Sequence, residues 1–171
     1  DQAWQLTPAL FRAIDRDARF GGIAGHEVDM FADADNCQRP IFWSRWRCRG
    51  SAGLDAFKQD WADKRLFANP PFVLIARVVA EARRREVAIT LVCQWDPQRL
   101  WWPVVQPDAP EAVAWRRVPA DARNYLVEGE PLLRAPKADV YVVRLDFTLQ
   151  RQECSLRAAA LRRVQAARRR R

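Results

Sequence analysis

The sequence predicts an α/β domain built on a mostly parallel sheet. Three observations carry that expectation. Val87 to Trp95 is a near-continuous apolar run, as a strand covered on both faces requires. Val73 to Arg85 places Leu74, Ile75, Val78, Val79 and Ala82 on one helical stripe and Arg83, Arg84 and Arg85 outside it. Arg65 to Ala68 reads as a strand that stops at two prolines, which cannot donate to a ladder. Strand, helix and strand in that order make a βαβ unit with an expected right-handed crossover.

The flanking elements follow from the same rules. Thr7 is placed to cap a helix that starts at Pro8 and turns Leu10, Phe11 and Ile14 to one face. Glu27 to Ala32 and Ile41 to Trp43 read as short strands on either side of a polar turn. Arg45 to Gly53 is basic and contains glycine, which suits a surface loop. The proline-rich passage from Trp101 to Pro136 is expected to hold loops and short elements at most. Asp139 to Thr148 is a further strand. Glu153 to Arg171 has helical spacing, with Leu156, Ala160, Leu161, Val164 and Ala167 on one stripe. The division is thus an α/β domain over 1–150 and a basic C-terminal helix over 151–171.

Charge is concentrated in that last segment. The chain of 171 residues carries a net +8, and within 157–171 the seven arginines Arg157, Arg162, Arg163, Arg168, Arg169, Arg170 and Arg171 stand without a single acid. The rest is left nearly neutral at +1. Guanidinium groups grip phosphate in bidentate fashion, so these seven arginines are the expected nucleic-acid contact. The run at 168–171 also suits a nuclear address. A membrane-surface helix would need larger apolar residues than these alanines. No stretch approaches the ~20 apolar residues of a membrane span, and no signal-peptide pattern opens the sequence. The four cysteines form no CxxC pair and there is one histidine, His26, so no metal site is expected. Scattered cysteines in a domain with its own core point to a reducing, intracellular setting, either nucleus or an organelle such as the mitochondrion.

The tetrapeptide Asn69-Pro70-Pro71-Phe72 carries the most chemistry. It lies between a hydrophobic strand and an amphipathic helix, where open α/β sheets place their ligands. A side-chain amide oxygen and a proline carbonyl can accept the two hydrogens of an exocyclic amine and build negative character on its nitrogen. The diproline fixes that carbonyl at low entropic cost. An aromatic ring at the fourth position can stack on an extruded base. The plain alternative is a structural turn, the commoner use of Asn-Pro-Pro.

Around this tetrapeptide the chain resembles the phage-type DNA adenine-N6 methyltransferases. It is also similar to the methyltransferase-like segment downstream of the ribonuclease H region in DIRS-type and related tyrosine-recombinase retrotransposons. The shared features are Leu6-Thr7-Pro8 with Phe11, Val28-Asp29-Met30-Phe31-Ala32, Asn36 with Pro40, Asp55-Ala56-Phe57 with Asp60-Trp61, the tetrapeptide itself, and Trp101-Trp102-Pro103. They span roughly residues 4 to 105. The resemblance implies a Rossmann-like fold that binds S-adenosylmethionine and methylates adenine in DNA. On that reading Asn69, Pro70, Pro71 and Phe72 are catalytic, and Thr7, Pro8, Asp29 and Phe31 hold the cofactor. Asp33 and Asp35 stand where many amino-methyltransferases have glycine. That difference supports a second expectation: an inactive, retroelement-derived fold that binds RNA as a structural subunit of a ribonucleoprotein, such as an organellar ribosome, beside other proteins.

Overall fold

A computed structural model describes residues 4–127, 129–132, 134 and 136–149. The basic helix expected over 151–171, with the seven arginines of 157–171, lies outside the described residues.

In chain order the elements are β1 (Trp4–Leu6), α1 (Pro8–Asp15), α2 (Ala18–Gly21), β2 (Val28–Asp29), β3 (Ile41–Ser44), β4 (Gly53–Leu54), β5 (Leu66–Ala68), α3 (Ile75–Arg85), β6 (Ala88–Gln94), α4 (Trp102–Val105), β7 (Ala112–Val118), β8 (Tyr125–Val127), β9 (Glu130–Pro131) and β10 (Val140–Asp146). Seven strands form the main sheet in the order β4-β3-β2-β5-β6-β10-β7, and β1, β8 and β9 form a small second sheet. From β4 to β6 every pairing is parallel. Only β10 runs against its neighbours, pairing antiparallel with both β6 and β7. Counted along the chain within this sheet, the first five strands lie 3-2-1-4-5, the doubly wound order. Its switch point falls between β2 and β5.

The pleat of β6 explains why both faces must be covered. Ile89, Leu91 and Cys93 enter one hydrophobic layer, together with Ile75, Val78, Val79 and Ala82 of α3 and Trp102 and Val105 of α4. Val92, one residue out of phase, enters the other layer with Leu10, Phe11 and Ile14 of α1. Successive residues of a strand point to opposite faces, so a strand between two layers cannot spare a polar position. Thr90 is the exception, and it is buried against a histidine described below.

The helix starts expected from sequence are met. The Thr7 hydroxyl accepts the Leu10 amide at 3.3 Å, and Pro8 occupies the first turn of α1. β5, α3 and β6 form the expected βαβ unit, with β5 and β6 parallel neighbours. A 3-10 turn at Phe72–Leu74 precedes α3, so Leu74 is half-buried instead of fully inward. The strand expected over 27–32 pairs regularly at Val28 and Asp29 alone. Gly53–Leu54, which begins on the last residue of the loop expected over 45–53, adds an edge strand.

The proline-rich passage is the main correction. It contains β7, a full seven-residue strand at the sheet edge. Its alternation is hidden because Val113, Trp115, Arg116 and Arg117 are exposed, which leaves Ala114 and Val118 as its fully buried positions. Charged side chains on an edge strand deter pairing with another chain. Arg117 binds Asp139 at 2.6 Å and lies 4.3 Å over the Trp95 ring.

Gly25 is a position where backbone freedom is required. Its φ is +70°, and an added Cβ would stand 2.8 Å from Asp15 Oδ2. Gly25→Ala is expected to destabilise the fold by about 2 kcal/mol, from left-handed strain plus displacement of that carboxylate. Urea unfolding measures it, and an unchanged midpoint would contradict the geometry.

Candidate functional site

Asp29 closes β2 on the side of the sheet's carboxyl ends, and its side chain is 3% exposed. Its Oδ2 accepts the Gln38 amide at 3.0 Å. Among the described residues it has no cationic partner. Burial, the largest influence, pushes its pKa up to about 6, against the backbone N–H donors of Gln38 and Phe31. A carboxylate buried without a counter-ion costs stability, which marks a functional-site candidate.

Beside it opens a cavity of about 250 Å³ at the switch point, bounded by Asp29, Phe31, Asn69, Pro70, Pro71 and Phe72 from the predicted set. That volume is just below the ~300 Å³ at which ligand pockets commonly begin. The structure therefore brings Asp29 and Phe31 together with the tetrapeptide, although they lie about forty residues apart in sequence.

Within the tetrapeptide, Asn69 Nδ2 donates to the Trp4 carbonyl at 3.0 Å. A carbonyl only accepts, so this contact fixes which end of the amide is nitrogen. No donor among the described residues reaches Asn69 Oδ1 or the Pro70 carbonyl. The Pro71 carbonyl is used internally, accepting the Leu74 amide at 2.8 Å to start the turn into α3. Phe72 is 40% exposed and meets the Trp4 ring edge-on at 5.9 Å. Trp4 in turn leans on Tyr125 at 6.0 Å. Comparison with models of known protein families and with curated proteins gives no match.

Thr7 and Pro8 do not line the cavity. They cap and begin α1, and the residues just before them, Trp4, Gln5 and Leu6, form the wall. Of the wall residues, Leu6 belongs to the shared Leu6-Thr7-Pro8 motif, whereas nothing in the sequence marks Trp4, Gln5, Gln38 or Tyr125. Gln38 Nε2 donates to the Leu6 carbonyl at 2.8 Å and Gln5 Nε2 to the Asn36 carbonyl at 3.0 Å, which ties β1 to the loop after β2. Tyr125 Oη is buried among the wall residues without a hydrogen-bond partner, and burial raises its pKa.

Asp33 and Asp35 stay out of the cavity. Asp33 Oδ1 accepts the amides of Asp35 and Asn36, and Asn36 Oδ1 accepts the Asp33 amide at 2.8 Å. Side chains thus close this turn. The charge of Asp33 still reaches Asp29, as the smallest of the influences on it.

His26 sits in a loop and is fully buried. Nδ1 lies 2.8 Å from Asp15 Oδ1 and Nε2 lies 2.8 Å from Thr90 Oγ1. Burial is the largest influence and lowers its pKa to about 4, and the Thr90 hydroxyl it faces also lies within hydrogen-bond distance of the Phe20 carbonyl at 3.1 Å. His26 does not line this cavity and serves as a cross-link between α1 and β6. Asp55 and Asp60 serve turns, accepting the Phe57 and Ala62 amides at 3.1 and 3.0 Å. No metal-binding cluster occurs among the described residues.

Proposed function

We propose that the domain is a SAM-dependent methyltransferase acting on the exocyclic amine of adenine in nucleic acid. The observation that carries this reading is the pair of acceptors, Asn69 Oδ1 and the Pro70 carbonyl, left without donors at a cavity on the switch point. An amino group has two hydrogens to give, and two acceptors held by a rigid diproline match it. Accepting both hydrogens makes the nitrogen lone pair more available and fixes its direction. The exposed ring of Phe72 offers a face to an extruded base. The doubly wound strand order supports the reading at the level of fold.

S-adenosylmethionine would supply the methyl group. Asp29 and Phe31 fit the cofactor side of the cavity: a buried carboxylate without a cation suits the ammonium of a methionine moiety, and an aromatic wall suits its adenine. Thr7 and Pro8 would act only through the wall residues that precede them. The arginines of 157–171 would hold phosphate outside the site.

The modest cavity volume and the glycine-free turn at 33–36 favour a second reading. There the same fold has lost the cofactor and binds RNA as a structural subunit of a ribonucleoprotein. A labelled-methyl assay on adenine-containing DNA and RNA, run beside SAM calorimetry, separates the two. The first reading expects label on adenine and measurable SAM binding. Absence of both overturns it. The second expects RNA binding whose salt dependence weakens when 157–171 is removed.

A further inference from the structure

The loop Arg45-Trp46-Arg47-Cys48-Arg49 has no role in the site described above, yet its composition and position suit one ligand class. Between Asn36 and Leu54 the chain has four arginines, Arg39, Arg45, Arg47 and Arg49, and no acid. Arg39 is paired with Asp15 at 3.3 Å. Arg45, Arg47 and Arg49 are exposed, and among the described residues no carboxylate pairs with them. Trp46 is 71% exposed, far more than a packing role requires. The Arg45 guanidinium lies 4.9 Å from its ring centroid, and no other ring or cation of the described residues lies against it.

The loop is built from its base. Ser44 is 2% exposed, and its Oγ lies 2.7 Å from both the Trp46 carbonyl and Ser51 Oγ. Ser51 Oγ lies 2.7 Å from the Gly53 carbonyl, and the Ala52 amide returns to the Phe42 carbonyl at 2.9 Å. Gly50, with φ +81°, makes the reversal. The root of the indole is thereby tied to the sheet while its ring stays in solvent.

The register places this loop beside the cavity. Phe42, Asp29 and Phe67 share one rung of the parallel sheet. Asn69 follows that rung by two residues and Arg45 by three, on strands two spacings apart, or about 10 Å. Both therefore stand on the same carboxyl-end rim.

We propose that this loop is a docking site for single-stranded nucleic acid, with Trp46 stacking on an unpaired base and Arg45, Arg47 and Arg49 holding the flanking phosphates. Stacking tolerates any base because every base has a π-face, and the arginines recognise the backbone. The surface is independent of methyl transfer and of the C-terminal arginines.

The test is fluorescence anisotropy of a labelled 20-mer of deoxythymidine with the full chain, titrated over a range of salt. Thymine carries no exocyclic amine, so the result does not depend on the Asn69 site. Trp46→Ala is expected to weaken binding about tenfold. The triple change of Arg45, Arg47 and Arg49 to Gln is expected to lower the salt slope by about two. A duplex of equal length should respond to the arginine changes and not to Trp46→Ala. Unchanged melting temperatures would confirm that these exposed substitutions leave the fold intact. Wild-type affinity and slope in both variants overturn the proposal. So does binding to anionic vesicles with none to the oligonucleotide.

Discussion

Asn69→Ala is expected to cut methyl transfer by roughly 10²- to 10³-fold, the loss typical when one preorganised polar group is removed from a reacting centre. The variant removes the acceptor Oδ1 and also the Nδ2 tether to the Trp4 carbonyl. Trp4 therefore becomes free to shift, and with it the edge-on contact to Phe72. Asn69→Asp separates the two effects. It keeps an acceptor for the amine and replaces the donor to Trp4 with a carboxylate oxygen, so its rate should fall by no more than about tenfold relative to wild type. Initial rates with labelled SAM read the difference, with SAM affinity and thermal melting as controls. A rate for Asn69→Ala within twofold of wild type would remove Asn69 from the chemistry and leave the tetrapeptide as a structural turn. Equal losses in both variants would assign the residue's importance to the Trp4 tether.

The parts of this molecule that local rules govern could be read from sequence. Thr7-Pro8 announces α1 because a hydroxyl acceptor and a residue without an N–H both suit a helix start. β6 could be read because a strand under two layers must be apolar throughout, and the position of the tetrapeptide between β5 and α3 follows from two such local signals. What escaped depends on pairing across long stretches of chain. β7 has two fully buried positions, and what defines it is its ladder with β10, more than twenty residues later. Tyr125 reaches the cavity only because β8 pairs with β1, at the opposite end of the sequence. The same ladder carries Trp4 and Gln5 into the wall, which short polar and aromatic residues near a terminus do not advertise. The burial of Asp29 and His26 is likewise a property of the elements around them. A carboxylate ending a two-residue strand and a histidine after glycine both look like solvent-facing residues until the second layer is laid over them.

Those two buried groups set opposite demands on pH, and the last prediction uses their opposition. His26 has its pKa lowered to about 4, chiefly by burial, with Asp15 opposing and Arg144 and Arg39 assisting. The unfolded chain protonates this histidine near 6.5 while the folded one resists, so stability is lost as pH falls from about 6.5 towards 4. Asp29 has its pKa raised to about 6. Here the folded state takes up the proton first, so stability is gained as pH falls from about 6 towards 4. At about 1.4 kcal/mol for each unit of displacement, each group contributes about 3 kcal/mol across its window, with opposite sign. The wild type should therefore show nearly level stability between pH 7 and 4.5. Glu81 and Asp121, held low at about 2 by Arg84, Arg85 and Arg123, enter only below that range. Asp29→Asn removes one side of the balance. It keeps an acceptor for the Gln38 amide, should gain stability at pH 7, and should then lose it on acidification. His26→Gln should behave in the reverse sense and gain stability between pH 6 and 4.5. Urea unfolding at pH 7, 5.5 and 4.5 measures the slopes, and parallel curves for the two variants would overturn the assignment. If Asp29→Asn is more stable at pH 7 and also fails to bind SAM, the carboxylate is kept at a cost in stability because the site needs it.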